Sequence, residues 1–252
     1  MASTSRGRVR VEDGPKRIRV LFGGAYVADT TNVKLVWERQ YPTYYLPAAD
    51  VRTDLLIATG ATTHSPSRGD ATVHDVKVGD RTAQGAALWY AGSAFPDLRD
   101  TIRFEWGAMD AWFEEDDEVY VHARDPYTRV DILQSSRHVR VEVDGVTVAD
   151  SHQPRMLFET GLPTRYYLPK TDVRMNLLTP TDHSTQCPYK GTAEYYSVTV
   201  GDSTHENLVW WYRHPIIEST KIAGYVCFFN EHVDIYVDGE LQPRPQTVWS
   251  RR

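Results

Sequence analysis

The sequence predicts an all-β protein of two tandem domains, each built from antiparallel sheet with at most one short helix. An internal repeat, runs of alternating apolar and polar residues, and the turn residues that end those runs lead to this fold class. The length of 252 residues fits two small domains, since one domain commonly has roughly 100 to 200 residues.

The repeat is clearest where PTYYLPAADVRTDLL (42–56) is echoed by PTRYYLPKTDVRMNLL (163–178). The two copies keep a constant offset of 122 residues as far as Trp89 and Trp211. In this ungapped block 21 of 47 aligned pairs are identical, against roughly 6% expected from ordinary residue usage. The predicted boundaries are an N-terminal tail (1–15), domain 1 (16–131), a connector (132–136), domain 2 (137–245) and a C-terminal tail (246–252).

Short alternating runs predict the strands of both copies. A period of two indicates a strand with one buried face, and turn residues between two such runs indicate a hairpin. In chain order the runs are IRVLF and AYVAD around 23–24, VHDVKV before 79–80, VRVEV and VTVAD around 144–145, YYSVTV before 201–202, and VDIYV before 238–239. Helix is restricted to PDLRDTIRF near 96 and HPIIESTKIAG near 214, each with room for two turns.

Composition and charge exclude several classes of protein. The formal charge of −6 disfavours nucleic-acid binding, and no apolar run approaches the ~18 residues of a bilayer span. The N-terminus has basic residues without an apolar segment behind them, so we expect a cytoplasmic protein. The acidic run EEDDE (114–118) is most simply a solvated loop.

Metal and cofactor motifs are missing from the sequence. Two cysteines cannot form a four-cysteine zinc site, and the nine histidines include no close pair with metal-ligand spacing. The phosphate-cradling loops GxxxxGK[ST] and GxGxxG, the GxSxG elbow and the HExxH pair are absent. We therefore expect neither a metal ion nor a cofactor.

The segment TQCPYKG (185–191) is the strongest candidate for chemistry. Pro and Gly indicate a turn that would hold the Cys187 thiol beside the Lys190 ammonium, and a nearby cation favours the thiolate nucleophile. The alternative is a surface turn with an inert cysteine. Copy one has SPSRG (65–69) at this place, which keeps the turn and the cation, Arg68, but not the thiol.

The repeated element YYLPxxDVR offers two aromatic rings, a carboxylate and a guanidinium, which could line a pocket for a planar or anionic ligand. Equally, the Asp and Arg could pair across a turn with the tyrosines packed beneath them. A glutamate before the element and a Trp-Tyr run after it could border the same mouth, although the aromatic residues could also be core. The predicted ligand-binding residues are Glu159, Tyr166, Tyr167, Asp172, Arg174, Tyr189, Trp211 and Tyr212 in domain 2, and Glu38, Tyr44, Tyr45, Asp50, Arg52, Arg68 and Trp89 in domain 1.

Together, YYLPxxDVR, CPYKG, Trp-Tyr and IAGYVCFFNEHVDIYVDG resemble the DUF427 family, and RDPYTRVD resembles the connector of its tandem members. The resemblance covers nearly the whole chain and implies a β-tent (Mss4-like) fold, with two antiparallel sheets leaning together over a pocket. Relatives in that fold bind zinc through two Cys pairs, which this chain lacks. The family is sometimes labelled nucleotidyltransferase, but the Gly-Ser followed by Asp-x-Asp of such enzymes is absent here.

Two functional hypotheses follow. In the first, domain 2 binds a small polar or aromatic molecule in a pocket, either as a ligand-binding protein or as a non-metal enzyme that uses Cys187 and Lys190. In the second, the chain is a non-catalytic interaction or scaffold protein whose motif residues stabilise turns. We expect a small-molecule ligand, no nucleic-acid or membrane partner, and pseudo-symmetric pairing of the two domains; a homo-oligomer is left open.

Overall fold

The computed structural model describes residues 9–38 and 40–251, and the chain divides between Asp125 and Pro126 into two compact domains. Each domain contains a seven-stranded and a four-stranded sheet, and the strand pairs within them are antiparallel. The prediction of two all-β domains is therefore confirmed. No helix in the described ranges has the length and apolar character needed to cross a membrane.

Within residues 9–38 and 40–251, each domain has eleven strands, numbered in their order along the chain. Those of domain 1 are β1 (Arg10–Asp13), β2 (Ile18–Phe22), β3 (Ala25–Thr30), β4 (Lys34–Trp37), β5 (Pro42–Pro47), β6 (Leu56–Ser65), β7 (Gly69–Val78), β8 (Arg81–Trp89), β9 (Thr101–Phe104), β10 (Ala111–Glu114) and β11 (Asp117–Val119). Those of domain 2 are β12 (Val130–Gln134), β13 (Val139–Val143), β14 (Val146–Ser151), β15 (Arg155–Glu159), β16 (Arg165–Leu168), β17 (Leu178–Cys187), β18 (Gly191–Val200), β19 (Ser203–Trp211), β20 (Val226–Phe228), β21 (Asp234–Val237) and β22 (Glu240–Leu241).

The two domains have the same strand order. The large sheets run β1-β4-β5-β9-β8-β7-β6 and β12-β15-β16-β20-β19-β18-β17. The small sheets run β3-β2-β10-β11 and β14-β13-β21-β22. Each strand of domain 1 thus has a counterpart in domain 2, which confirms that the repeat encodes one fold twice.

The predicted hairpins are present: β2–β3, β7–β8, β13–β14, β18–β19 and β21–β22 all pair across the turn residues identified in the sequence. The helical residues in the two segments that favoured helix form short 3₁₀ turns. The segment near 96 makes a single turn, Pro96–Leu98, and the segment near 214 makes two turns, Ile217–Ile222.

The segments predicted as tails and connector also contribute strands and turns. Residues 10–13 of the expected tail form β1, and residues 132–134 of the expected connector belong to β12. Both strands complete a large sheet at its edge, where they pair with β4 and β15. The expected C-terminal tail includes the 3₁₀ turn Val248–Ser250, and Trp249 packs against the domain 2 core. These segments supply backbone partners and apolar cover, which is why they are ordered parts of the domains.

The acidic run 114–118 is also not a simple solvated loop. Its first residue, Glu114, is buried at the end of β10, and the run continues into β11. The Glu114 carboxylate is not left unpaired, because Lys16 Nζ lies 2.5 Å from it and Tyr44 donates a hydrogen bond to it.

The large sheet is covered on both faces, and this decides where the predicted site residues point. In domain 1 one face packs on the small sheet, in a core that includes Tyr44 and Val20. The opposite face carries a separate cluster that includes Val36, Tyr45 and Tyr90. Because successive residues of a strand alternate between faces, the two tyrosines of the repeated element lie on opposite sides of the sheet. We call the face that carries Tyr45, and its counterpart in domain 2, the outer face.

The β2–β3 hairpin of domain 1 turns through Gly23 and Gly24, both with positive φ. A Cβ on Gly23 would lie 2.8 Å from Val78 Cβ, whereas a Cβ on Gly24 would meet nothing within 4 Å. We expect Gly24→Ala to lower the free energy of unfolding by about 1–2 kcal/mol through its backbone conformation alone. Gly23→Ala should cost at least about 1 kcal/mol more, because Val78 must move. Urea denaturation of both variants tests this, and equal losses would contradict the packing described here.

Candidate functional site

A buried ion pair lies on the outer face of domain 2. Lys190 Nζ is 2.6 Å from Glu159 Oε2, and the two side chains are 11% and 8% exposed. Glu159 ends β15, while Lys190 comes from the turn between β17 and β18, which the Lys190 N–H closes by donating to the Cys187 carbonyl. Buried charges are tolerated when they are paired, so the turn is held against the sheet by this contact.

Cys187 completes the cluster, because its thiol lies close enough to Lys190 to act on the charge of the ammonium. Burial acts to lower the pKa of Lys190, but the adjacent Cys187 and Glu159 outweigh that effect and raise the pKa above its ordinary value. The lysine is therefore held in its charged form. Cys187 is a free, half-buried thiol, whereas Lys190 in the same cluster of Glu159, Lys190 and Cys187 is buried.

Two buried tyrosines lie beneath the cluster. Tyr167 accepts a 3.0 Å hydrogen bond from the indole N–H of Trp210, and burial raises its pKa well above the usual value. Burial also raises the pKa of Tyr212, and the nearby Cys187 and Glu159 add to the increase. Both phenols are thus neutral groups near the thiol, and Tyr212 also lies near the Glu159 carboxylate.

The second cysteine has a different environment. Cys227 lies in β20 and is fully buried. Burial raises the pKa of its thiol to about 12, although Arg165 and Lys190 act in the opposite direction. Since the thiolate is the reactive form, Cys227 is an inert core residue under ordinary conditions.

Domain 1 has the same arrangement with different chemistry. Arg68 Nη1 lies 2.6 Å from Glu38 Oε2, and the Arg68 Nε donates a 3.0 Å hydrogen bond to Ser65 Oγ. Tyr45 donates to the other Glu38 oxygen at 2.5 Å, and Arg103 lies 3.5 Å from that oxygen. The carboxylate and the cation from the turn are present in both domains, whereas the thiol is present in domain 2.

The first tyrosine of the repeated element is not part of this cluster. Tyr44 points between the sheets of domain 1, where its hydroxyl donates a 2.5 Å hydrogen bond to Glu114 and its ring packs near Trp106 and Trp112. Burial and the Glu114 charge raise its pKa well above the usual value. Tyr166 is the buried counterpart in domain 2, where β21 carries Val237 instead of a carboxylate.

The Asp and Arg of the element anchor a turn to the small sheet. Asp172 accepts a 2.6 Å hydrogen bond from Ser151, and Asp50 accepts one of the same length from Thr30. The Arg174 backbone N–H donates to the Val148 carbonyl at 2.8 Å, and its side chain donates to the Thr147 carbonyl at 3.4 Å. In domain 1, Arg52 pairs with Asp54 at 2.7 Å on the surface. These contacts favour the turn-stabilising interpretation for this part of the motif.

Asp172 and Arg174 also line an open cleft of about 370 Å³ in domain 2, away from Cys187. Its other lining residues are Thr147, Ala149, Asp150, Thr171 and Val173. A second open cleft, of about 430 Å³, is lined by polar residues of β17, β18 and β19, among them Thr181, His183 and Asn207. Neither cleft contains the cysteine and lysine of the predicted reactive turn.

Of the remaining predicted residues, Trp211 and Trp89 have contacts outside the cluster, whereas Tyr189 lies in the turn itself. The Trp211 ring lies under the Lys170 ammonium, 3.2 Å from its Nζ, and the Trp89 indole N–H donates to Asp100. Tyr189 is half-buried within the reactive turn, and its carbonyl accepts a hydrogen bond from Ser219. Of the predicted domain 2 set, the structure therefore brings together Glu159, Tyr167, Cys187, Lys190 and Tyr212, with Tyr189 beside them.

A second buried ion pair on the outer face escaped the sequence analysis. Arg165 makes two hydrogen bonds of 2.7 Å to the Glu231 carboxylate, which is completely shielded from solvent. Thr247 donates to the same carboxylate, and the Arg165 guanidinium lies over the rings of Trp210 and Trp249. The signal in the sequence for this buried carboxylate is the position of Glu231, directly after the largely apolar run VCFFN (226–230).

Comparison with known families identifies one match. The family described as "Domain of unknown function (DUF427)" matches residues 10–115 and again residues 131–239. Among curated proteins, no match to the chain was found. The two matched ranges correspond to the two domains of the structure.

The Arg165–Glu231 pair predicts an acid-sensitive stability. Burial acts to raise the pKa of Glu231, but the hydrogen bonds from Arg165 and Thr247 outweigh it, so the pKa lies below its ordinary value of 4.5. A lowered folded-state pKa contributes stability above the ordinary value, and that contribution is lost as the pH falls through the folded pKa. Glu231→Gln should be about 2 kcal/mol less stable than wild type at pH 6, with the gap closing toward pH 3.

The matched control for this prediction is Glu240→Gln, at an exposed position. Its melting temperature should follow the wild type at every pH. A constant gap between wild type and Glu231→Gln from pH 6 to pH 3 would contradict the ionised pair.

Proposed function

Because the chain belongs to the DUF427 family, whose function is unknown, we propose a function from the geometry of its own residues. Domain 2 binds a small polar or aromatic molecule at the Glu159–Lys190–Cys187 cluster, with the Cys187 thiol as nucleophile. The observation that carries this proposal is the Lys190 ammonium, which is shielded from solvent, paired with the Glu159 carboxylate and close to the Cys187 thiol.

The electrostatics of the cluster support a reactive thiol. A cation in contact with a sulfur stabilises the thiolate, which is the nucleophilic form of cysteine. Lys190 loses little of this effect to solvent, because its side chain is 11% exposed. Glu159 opposes the effect, since its carboxylate competes for the same ammonium. The balance between the two neighbours therefore sets how readily Cys187 reacts.

The surroundings of the sulfur support a small ligand with polar or aromatic character. The half-buried Tyr189 adjoins Cys187 in the turn, and the buried Tyr212 lies on the sheet side. Aromatic side chains supply contact area at small-molecule sites, and a few charged groups fix the orientation of the ligand. Lys190 is placed to contact an anionic or carbonyl oxygen of such a molecule.

A second candidate function, a non-catalytic scaffold, is favoured by domain 1. There the Glu38–Arg68–Ser65 network closes the equivalent turn without a thiol. If the cluster of domain 2 serves only to fasten its turn, then the sulfur is replaceable and its reactivity is independent of the charged neighbours. The two candidates differ in what happens to Cys187 when those neighbours are changed.

Alkylation of the full-length protein by iodoacetamide, followed by peptide mass spectrometry, separates the candidates. We expect Lys190→Met to slow modification of Cys187 about fivefold at pH 7, because roughly 1 kcal/mol of charge stabilisation of the thiolate is lost. Glu159→Gln should accelerate it, because the ammonium then has the sulfur as its charged neighbour. Two substitutions on the same pair thus have opposite expected effects.

The controls lie within the same chain. Lys190→Arg keeps the positive charge, as Arg68 does in domain 1, and should retain more than half of the wild-type rate. Cys227 reports unfolding, because it becomes accessible only if the core opens. An unchanged Cys187 rate in both Lys190→Met and Glu159→Gln, with Cys227 still protected, would reject the reactive thiol and favour the scaffold.

A further inference from the structure

Two histidines far apart in the sequence meet at one end of the β13–β14 hairpin of domain 2. His138 directly precedes β13 and His152 directly follows β14, and the pairing of Val139 with Ser151 brings these ends together. Their rings stack with centroids 4.3 Å apart and an interplanar angle of 15°. The hairpin thus places two imidazoles side by side on a fixed backbone.

A carboxylate completes the group. Asp150 Oδ1 lies 2.6 Å from His138 Nε2, and one ligand atom from each of His138, Asp150 and His152 lies within 4.8 Å of the others. In the described part of the chain, neither ring nitrogen of His152 has a hydrogen-bond partner. Two imidazole nitrogens and one carboxylate oxygen form a donor set that zinc prefers, with a fourth position left for water.

We propose that His138, Asp150 and His152 bind one Zn²⁺ ion on the surface of domain 2. This site is separate from the Cys187 cluster and does not depend on the function proposed for it. The ion would border the 370 Å³ cleft, because Asp150 also lines that cleft. The sequence does not predict this site, because the histidines are 14 positions apart and become neighbours through the strand pairing.

The positive charges next to the site are neutralised by other carboxylates. Arg137 pairs with Asp238 at 2.7 Å, and the second oxygen of Asp238 accepts the backbone N–H of His138 at 3.0 Å. Arg140, which is paired with Asp150 in the sheet register, forms its ion pair with Glu142. Asp150 therefore pairs with neither arginine, and its partner is His138, another member of the proposed site.

Domain 1 shows what the same place looks like without metal ligands. In domain 1 the β2–β3 register pairs Arg19 with Asp29, and in domain 2 the β13–β14 register pairs Arg140 with Asp150. Asp29 and Asp150 are therefore equivalent. Arg17, at the position of His138, makes two hydrogen bonds to Asp29, at 2.7 and 2.5 Å. Arginine stays protonated and cannot ligate a metal, so domain 1 compensates this carboxylate with a guanidinium. Domain 2 offers imidazoles there instead.

This correspondence supplies the test variants. His138→Arg combined with His152→Thr reproduces the residues of domain 1, so it should keep the hairpin through an Arg–Asp pair while removing both nitrogen ligands. Asp150→Asn removes the carboxylate with little change in size. Asp29→Asn is the matched control in domain 1, where no zinc binding is expected.

The experiment titrates metal-stripped full-length protein with zinc chloride by isothermal calorimetry, with circular dichroism to confirm that each variant is folded. We expect wild type and Asp29→Asn to bind one equivalent, the double variant to lose it, and Asp150→Asn to bind at least about tenfold more weakly. No saturable zinc binding by the wild type would overturn the proposal. So would a folded double variant that binds one equivalent with wild-type affinity, because the ion would then lie elsewhere.

Discussion

The local structure of each domain depends on one carboxylate that is withdrawn from solvent on the outer face of the large sheet. In both domains a cation from the neighbouring hairpin turn pairs with this carboxylate: Arg68 with Glu38 in domain 1, and Lys190 with Glu159 in domain 2. The cation fixes the position of the turn. The turn then determines which other side chain lies next to the ion pair. The second tyrosine of the repeated element, Tyr45 or Tyr167, packs on the same face.

The two domains differ in chemistry more than in fold. Arg68 has a forked guanidinium that satisfies Glu38 and Ser65 together, whereas Lys190 carries one compact charge that pairs with Glu159 near Cys187. The β2–β3 and β13–β14 hairpins show a similar exchange, from an arginine in domain 1 to a histidine in domain 2. At both places domain 1 closes an ion pair with arginine, while domain 2 has a group with nucleophilic or ligand chemistry.

Sequence patterns predicted the elements well, because hairpins and alternating strands follow from local residue types. The turn from Cys187 to Lys190 could be anticipated for the same reason, since Pro and Gly specify it within a few residues. The face on which a residue lies was harder to predict. Tyr166 and Tyr167 are adjacent in the sequence but point to opposite sides of the sheet, and Asp172 is directed to Ser151 of the small sheet. Contacts such as Arg165 with Glu231 and His138 with His152 depend on strand pairing, which no local pattern reveals.

The most direct test of this account is a double-mutant cycle on the free energy of unfolding, using Glu159→Gln, Lys190→Met and the two combined. If the buried pair holds the turn to the sheet, the two substitutions should be coupled by at least about 1.5 kcal/mol, with the double variant less destabilised than the sum of the single variants. Losses that add to within about 0.5 kcal/mol would mean that the carboxylate and the ammonium act independently. That result would contradict the central role assigned to their contact.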